Sequence, residues 1–281
     1  MRISDIIKEK KSTLSFEIFP PKSDVALDMD YILGKLAALK PDFISVTNSA
    51  GGNGAASGTA EIARLIKTKY NTESIMHLVC SDATKADIEA KLATAENYGI
   101  DNILALRGDK VNRPDSDFCY AKDLIKIIDG NKFCIGAAAY PEGHIDSPSL
   151  DADIEYLKQK VDSGADFLTT QLFFDNSLFF EFLEKIKKRG IDTYVLCGIM
   201  PVLSKAQINR MIFMCGVSLP GKMVKILNKY ENSTDDLIKA SIEYASVQIE
   251  ELLKHGVDGI HIYTMNKPEI AERIIAGLRT I

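Results

Sequence analysis

Long apolar runs, cysteine pairs and clustered basic residues are all missing from this sequence, and each absence narrows what the chain can be. No stretch approaches the roughly 20 apolar residues of a membrane-spanning helix, and the N-terminal MRISDIIKEKKSTLSF lacks the apolar core of a signal peptide. The expected location is the cytoplasm, with no membrane partner. The five cysteines (Cys80, Cys119, Cys134, Cys197, Cys215) are odd in number and never form a C-x-x-C pair, which argues against both a disulfide framework and a zinc site. Four of them lie in or beside apolar runs, as buried reduced thiols do. The net charge is -5 and Lys and Arg are dispersed, so no basic face is available for nucleic-acid phosphates or an anionic membrane. Histidine is scarce too. His77 and His144 have no third ligand at metal-binding spacing and read as hydrogen-bonding groups, so no metal is expected. His255, before a glycine, reads as a surface residue, and His261, inside a strand, as a satisfied core histidine. A small-molecule partner fits what remains.

The 281 residues, 46% apolar and 26% charged, suit one globular unit spanning 1–281 with a sizeable core. Eight short β-branched or aromatic runs (LSFEIF, FISVT, SIMHLV, NILALRG, FCIGAAAY, FLTTQLFF, YVLCGI and GIHIYTM) read as strands. Helical spacing occupies 27–39, 58–70, 84–98, 119–128, 151–164 and 177–189 between them, and 204–214, 220–229 and 234–255 add helices before the last strand. Strand-helix alternation implies parallel strands with crossover helices, and eight repeats predict an α/β (β/α)8 TIM barrel, not an open doubly wound sheet. Polar residues keep the same beat: Glu17, Thr47, His77 and Arg107 recur at intervals of 30 residues near strand ends, and Tyr140, Gln171 and Tyr263 extend the series. A barrel collects its strand ends on one face, where distant residues surround one ligand. Polar residues also gather wherever strands meet loops, but that does not account for Glu17 inside LSFEIFPP, because an unpaired buried carboxylate is costly.

Gly51, Gly52, Gly54 and Gly58 loosely mimic a dinucleotide fingerprint, but they follow the second strand and the third glycine is displaced, so a Rossmann site is not expected. The loops after strands 7 and 8, GIMPVLSK and YTMNKPE, are not the glycine-rich phosphate loops usual in barrels. Positive charge for a phosphorylated ligand would come from Arg107, Lys110, Arg113 and Lys160. Asp153, Tyr156 and Lys160 share one helix face, which reads equally as a ligand wall or a solvated surface. Arg107 and Asp109 either lean together toward the mouth or pair structurally.

SFEIFPPKS, FISVTNSAGG, MHLVC, ILALRGD, AAYPEGH, the D-x-x-x-L-x-x-K-x-x-x-G-A-D helix, TTQLFFD, GIMPV and HIYTMN, taken in order, resemble the catalytic domain of methylenetetrahydrofolate reductases. That resemblance implies FAD in the barrel mouth, surrounded by Thr47, Asn48, Ala50, His77, Arg107, Gly108, Asp109, Tyr120, Ala121, Ala138, Tyr140, His144, Asp153, Tyr156 and Lys160. Gln171, Gln207, Tyr263 and Lys267 would meet the folate or the nicotinamide. It also implies a ping-pong scheme in which NADH or NADPH reduces the flavin and methylenetetrahydrofolate then replaces it in the same pocket. Glu17 would be the acid that protonates the departing ring nitrogen, within the apolar surroundings suggested by Phe16, Ile18 and Phe19, and Asp109 the charge that favours a cationic intermediate and opposes anionic flavin.

Two positions depart from the pattern. Lys267 stands where an arginine is expected, giving a single charge contact to the folate glutamate, and Met211 stands where an aromatic stacking residue is expected. No C-terminal regulatory domain is expected, and so no inhibition by adenosylmethionine. Homo-oligomerisation and an electron-donor partner subunit are both compatible with the chain. Two rival readings are a flavin barrel of the proline dehydrogenase kind and a flavin- or folate-binding subunit of an electron-transfer complex.

Overall fold

Eight parallel strands close into a barrel in strict sequence order in the computed structural model, which describes residues 1–21, 28–48, 55–81, 83–109 and 116–278, with backbone alone for 55–57. The elements run α1 (Ile3–Glu9), β1 (Thr13–Ile18), α2 (Met29–Ala38), β2 (Phe43–Val46), α3 (Ala55–Tyr70), β3 (Glu73–Val79), α4 (Lys85–Asn97), β4 (Asn102–Leu106) and α5 (Ala121–Ile127). The order continues with β5 (Cys134–Ala139), α6 (Leu150–Asp162), β6 (Phe167–Thr170), α7 (Asn176–Lys188), β7 (Tyr194–Ile199), α8 (Lys205–Cys215), α9 (Gly221–Lys229), α10 (Thr234–Lys254), β8 (Gly259–Tyr263) and α11 (Pro268–Gly277). All eight predicted strands are present, as are the three helices before the last one. Helices α1 and α11 are additions to the predicted set.

Strand period decides where each side chain goes. One parity (Phe16, Ile18, Ile44, Val46, Met76, Leu78, Ile103, Ala105, Ile135, Ala137, Val195, Ile260, Ile262) lies in the large core between strands and helices. The other parity faces the barrel axis, and its lowest layer is a separate apolar cluster containing Phe43, Ile75, Leu104, Cys134, Phe167 and Leu196. Above it the inward positions turn polar, with Ser15, Ser45, His77 and His261 all buried. Inward glycines make room for large neighbours: a Cβ at Gly198 would lie 2.3 Å from Thr170 O and 2.8 Å from the Tyr263 ring.

Helix α1 closes the lower end of the barrel by placing Ile3, Ile6 and Ile7 against that apolar layer. Asn102, fully buried, ties it down: its Oδ1 accepts from Ile3 N at 2.9 Å while its Nδ2 donates to Ser74 O at 3.1 Å. Helix starts are capped in the ordinary way, by Thr84 and Asp87 as a capping box on α4 and by Ser149, Ser204 and Ser233 on α6, α8 and α10. Because barrel bottoms carry stability and tops carry chemistry, Asn102→Ala should lower the urea midpoint by the equivalent of about 1–3 kcal/mol, the cost of leaving Ile3 N–H unpaired. Ligand affinity at the opposite end, followed by fluorescence titration, should stay within twofold.

Candidate active site

A cavity of about 600 Å³ opens at the C-terminal ends of the strands, within the size range of small-molecule sites. Glu17 (β1), Thr47 and Asn48 (after β2), His77 (β3), Arg107, Gly108 and Asp109 (after β4), Ala138 and Tyr140 (β5 and its end), His144, Gln171 (after β6) and Tyr263 (β8) all line it. The 30-residue beat therefore converges on one space. Apolar Val79, Leu104 and Leu106 line it as well, and Met214 and Cys215 of α8 approach from the rim. Gly108 is obligatory: its φ is +86° and a Cβ would meet Val79 Cγ1 at 2.2 Å.

Glu17 reaches inward with its side chain 20% exposed, and its Oε2 lies 3.6 Å from both His77 Nε2 and His261 Nε2. Phe16 and Ile18 belong to the opposite parity and pack in the outer core, so the apolar surroundings expected from sequence neighbours are replaced by two imidazoles and the Tyr263 ring. The reason is the strand's alternation. His77 Nε2 is 2.6 Å from Ser45 Oγ, and burial drives the His77 pKa down to about 4 despite the attraction of Glu17, leaving a neutral imidazole at pH 7. Burial, then the charge of Glu17, pushes the Tyr263 phenol well up, and its hydroxyl donates to Thr170 O at 2.6 Å. Thr264 and Asn266 hold the backbone on either side of the carboxylate: Thr264 Oγ1 donates to Glu17 O at 2.7 Å, and the Asn266 amide accepts from Phe19 N at 3.0 Å and donates to Phe19 O at 2.7 Å.

On the opposite wall, Arg107 Nη2 pairs with Asp146 at 3.1 Å, its ion pair among the described residues, so the alternative of an Arg107–Asp109 pair is not what forms. Asp109 stays exposed at the rim. Lys160 turns inward from α6, donates to Ala138 O at 2.5 Å and lies 5.4 Å from the Tyr140 ring centroid. Burial, aided by Arg107 and opposed by Asp153, lowers its pKa to about 8. Tyr140 is pushed up to about 12, mainly by burial, and stacks edge-on with His144 at 4.7 Å. Asp153 is buried and accepts from Ser147 Oγ at 2.6 Å.

The sequence matches the methylenetetrahydrofolate reductase family over residues 2–279. The chain belongs to the methylenetetrahydrofolate reductase family. It is 35% identical to the 5,10-methylenetetrahydrofolate reductase of Escherichia coli (strain K12) over 265 residues, covering 93% of this chain and 88% of that protein. It is also 34% identical to methylenetetrahydrofolate reductase 1 of Schizosaccharomyces pombe, covering 99% of this chain and 48% of the yeast protein, and 32% identical to methylenetetrahydrofolate reductase (NADH) 1 of Arabidopsis thaliana, covering 100% and 50%. The chain thus spans about half the length of these fungal and plant relatives. An uncharacterized protein from Clostridium thermocellum, which binds two copies of 5-methyl-5,6,7,8-tetrahydrofolic acid, shares the fold with a TM-score of 0.68 at 15% identity, over 99% of this chain and 98% of that one.

Within this family member, the remaining expected site residues are distributed unevenly. Tyr120 and Ala121 lie at the start of α5, Tyr156 is half exposed on α6, and Asp153 and Lys160 sit behind Tyr140, all outside the cavity lining. Gln207 is taken up locally, its Oε1 accepting from Leu203 N at 2.7 Å at the start of α8. Lys267 is an exposed residue at the α11 N-cap. Ala50, Lys110 and Arg113, and Gly51, Gly52 and Gly54 of the glycine segment, lie outside the described residues. Residues not singled out from sequence include Ser15, Ser45, Asp146, Thr169, Thr170, Met214, Thr264 and Asn266; the first two were legible in principle as inward-parity partners of Glu17 and Thr47. None of the five cysteines forms a disulfide, and among the described residues no acidic, cysteine and histidine cluster could hold a metal. No described helix is long and apolar enough to cross a membrane.

Burial of neutral His77 carries a pH signature. Its folded pKa of about 4 lies below the ordinary 6.5, so the unfolded chain binds more protons in that interval. The stability it contributes is complete above 6.5 and is lost as pH falls toward 4. Urea unfolding should show about 2 kcal/mol less stability at pH 5 than at pH 7 from this group, a difference that His77→Gln should remove.

Proposed function

We propose that the cavity binds FAD and methylenetetrahydrofolate and that the chain reduces the folate's methylene group to a methyl group, with Glu17 as the proton donor. The observation that carries this reading is the placement of one deep carboxylate, Glu17, and one rim carboxylate, Asp109, on strands at different points around a single cavity, in a family whose relatives are named for this reduction. The lining suits the flavin: apolar Leu104, Leu106 and Ala138 offer a flat wall for a ring system, polar Thr47, Asn48, His77 and His144 surround it, and Arg107 brings positive charge for phosphates, with Lys160 behind Tyr140. Gly108 and Tyr140 complete the near wall, while Tyr120, Ala121, Asp153 and Tyr156 would serve the more distant part of the dinucleotide.

When bound, the flavin supplies hydride transfer. Glu17 gives its proton to the ring nitrogen that departs as the folate's five-membered ring opens, and is left as a carboxylate. Asp109, exposed at the rim, favours the positive charge that ring opening creates. Gln171 presents an amide, whose Oε1 already accepts from Leu172 N at 2.9 Å, to whichever ligand occupies the pocket. Tyr263, tethered to Thr170 O, offers a fixed aromatic surface. NADH or NADPH would occupy the space first and leave before the folate enters. A second electron route, through a partner subunit, is favoured by the 80% exposed Phe213 beside Met214, an apolar edge at the mouth.

Anaerobic rapid mixing of the FAD-loaded chain separates these routes: nicotinamide should bleach the flavin and methylenetetrahydrofolate should restore it, whereas reoxidation only after chemical reduction assigns the electrons to a partner. No reoxidation by the folate under either condition overturns the reading. Glu17→Gln should slow folate-driven reoxidation by at least about 100-fold, the usual worth of a positioned acid, with nicotinamide reduction unchanged. Asp109→Asn should raise the flavin's reduction potential and slow folate turnover, checked by dye-coupled potentiometry.

A further inference from the structure

Ser15 and His261 form a buried pair directly beneath Glu17, and nothing in the reaction described so far uses them. His261 is 1% exposed. Its ring is fixed from two sides, stacked on Phe43 at 6.5 Å and edge-on to Tyr263 at 5.3 Å. Nδ1 lies 2.8 Å from Ser15 Oγ, and Ser15 Oγ in turn lies 3.2 Å from Ile260 O, a carbonyl that can only accept. With the hydroxyl proton on Ile260 O, Ser15 is left as the acceptor for Nδ1–H. Nε2 is then a bare lone pair. It is completely buried, has no hydrogen-bond partner, and points at Glu17 Oε2 from 3.6 Å. A buried acceptor without a donor is costly, and the group in reach that can offer a proton to it is the Glu17 carboxylic acid.

We infer that His261, oriented by Ser15, is a positioning residue that holds Glu17 in its proton-bearing form, ready to donate. The inference rests on the reading of Glu17 as the acid. A hydrogen bond from the neutral acid to Nε2 favours the neutral acid over the carboxylate. When Glu17 passes the proton to the substrate nitrogen, its O–H bond breaks, an N–H bond forms, and the resulting carboxylate turns away from Nε2. The groups facing Glu17 include the neutral His77 from β3 and His261 and Tyr263 from β8, with Arg107, Asp109, Tyr140 and Cys215 on the walls of the same cavity. His77 differs from His261 in one respect: its Nε2 already has Ser45 Oγ at 2.6 Å.

Two measurements test this. In the purified chain with histidine-selective ¹⁵N labelling, the His261 Nδ1 resonance should be of the protonated type and Nε2 of the bare type; a proton on Nε2 overturns the inference. In the FAD-loaded enzyme, His261→Phe keeps the ring packing and removes both nitrogens, and Ser15→Ala removes only the orienting hydroxyl. Rapid mixing of the chemically reduced enzyme with methylenetetrahydrofolate should show the alkaline limb of the rate profile moved down by about one pH unit in each variant, equivalent to about tenfold slower reoxidation above the limb, with nicotinamide-driven reduction within twofold. An unmoved limb in both variants, or equal loss of both half-reactions, overturns the inference. Glu17→Gln keeps the two claims apart. If it retains folate-driven reoxidation, the acid assignment itself fails. If it loses that step while His261→Phe and Ser15→Ala behave as the parent enzyme, only the role of His261 falls.

Discussion

The interior of a closed eight-stranded barrel is a narrow column filled only by alternate residues of each strand, and the rest of this molecule follows from how the column is layered. Its floor is apolar and sealed by α1. Its middle is polar, with Ser15 against His261 and Ser45 against His77, and one buried ring nitrogen, His261 Nε2, left facing Glu17. Its top opens into the cavity. A carboxylate two residues above Ser15 on the same strand must therefore emerge at the boundary between the sealed and the open part, which is where Glu17 stands. Moving it one residue along the strand would deliver it to the helix-packed outer core among Phe16 and Ile18, where an ionised group would have no partner.

That layering gives the two site carboxylates different surroundings. Glu17 lies at the closed end beside imidazoles and an aromatic ring, while Asp109 lies at the rim in contact with water. Two carboxyl groups placed in unlike environments are a recurring way for one site to run proton donation and charge stabilisation together. The cations are graded in the same manner. Arg107 is held near the surface by Asp146, whereas Lys160 is drawn inward onto Ala138 O and its pKa falls with burial.

The repeat of about thirty residues was legible because each β/α unit has a characteristic length, and the polar residues on that beat share one destination. Element positions also followed from strand composition and helical apolar spacing. What sequence reading did not reach lies in the third dimension of the column. His261 reads as a satisfied core histidine when only its own strand is considered, yet its Nε2 faces Glu17 across the β1–β8 pairing, in which Ser15 aligns with His261 and Glu17 with Tyr263. Phe16 and Ile18 in LSFEIF suggest an apolar setting for Glu17, but period-two alternation sends both to the other side of the sheet. The YTMN segment invites a ligand-binding interpretation, whereas Thr264 and Asn266 are spent on clamping the end of β1, with Met265 and Asn266 held at positive φ to do so. Helix α1 is visible only as the spacing of Ile3, Ile6 and Ile7, too brief a pattern to distinguish a seal from a tail.

The two departures from the family pattern take different physical forms. Lys267 is exposed at the N-cap of α11, away from the cavity lining, so its charge faces solvent at the end of a flexible stem. Met211 instead packs into a third apolar cluster under α8, together with Met200, Met223 and Met265, and this cluster borders the site through Cys215 and Tyr263. An aromatic residue at 211 would supply a rigid stacking face; a thioether fills irregular space and adjusts its shape at little cost. The aromatic surface on this side of the cavity is that of Tyr263, whose position is set by strand pairing and by Thr170, not by a helix packed on methionines.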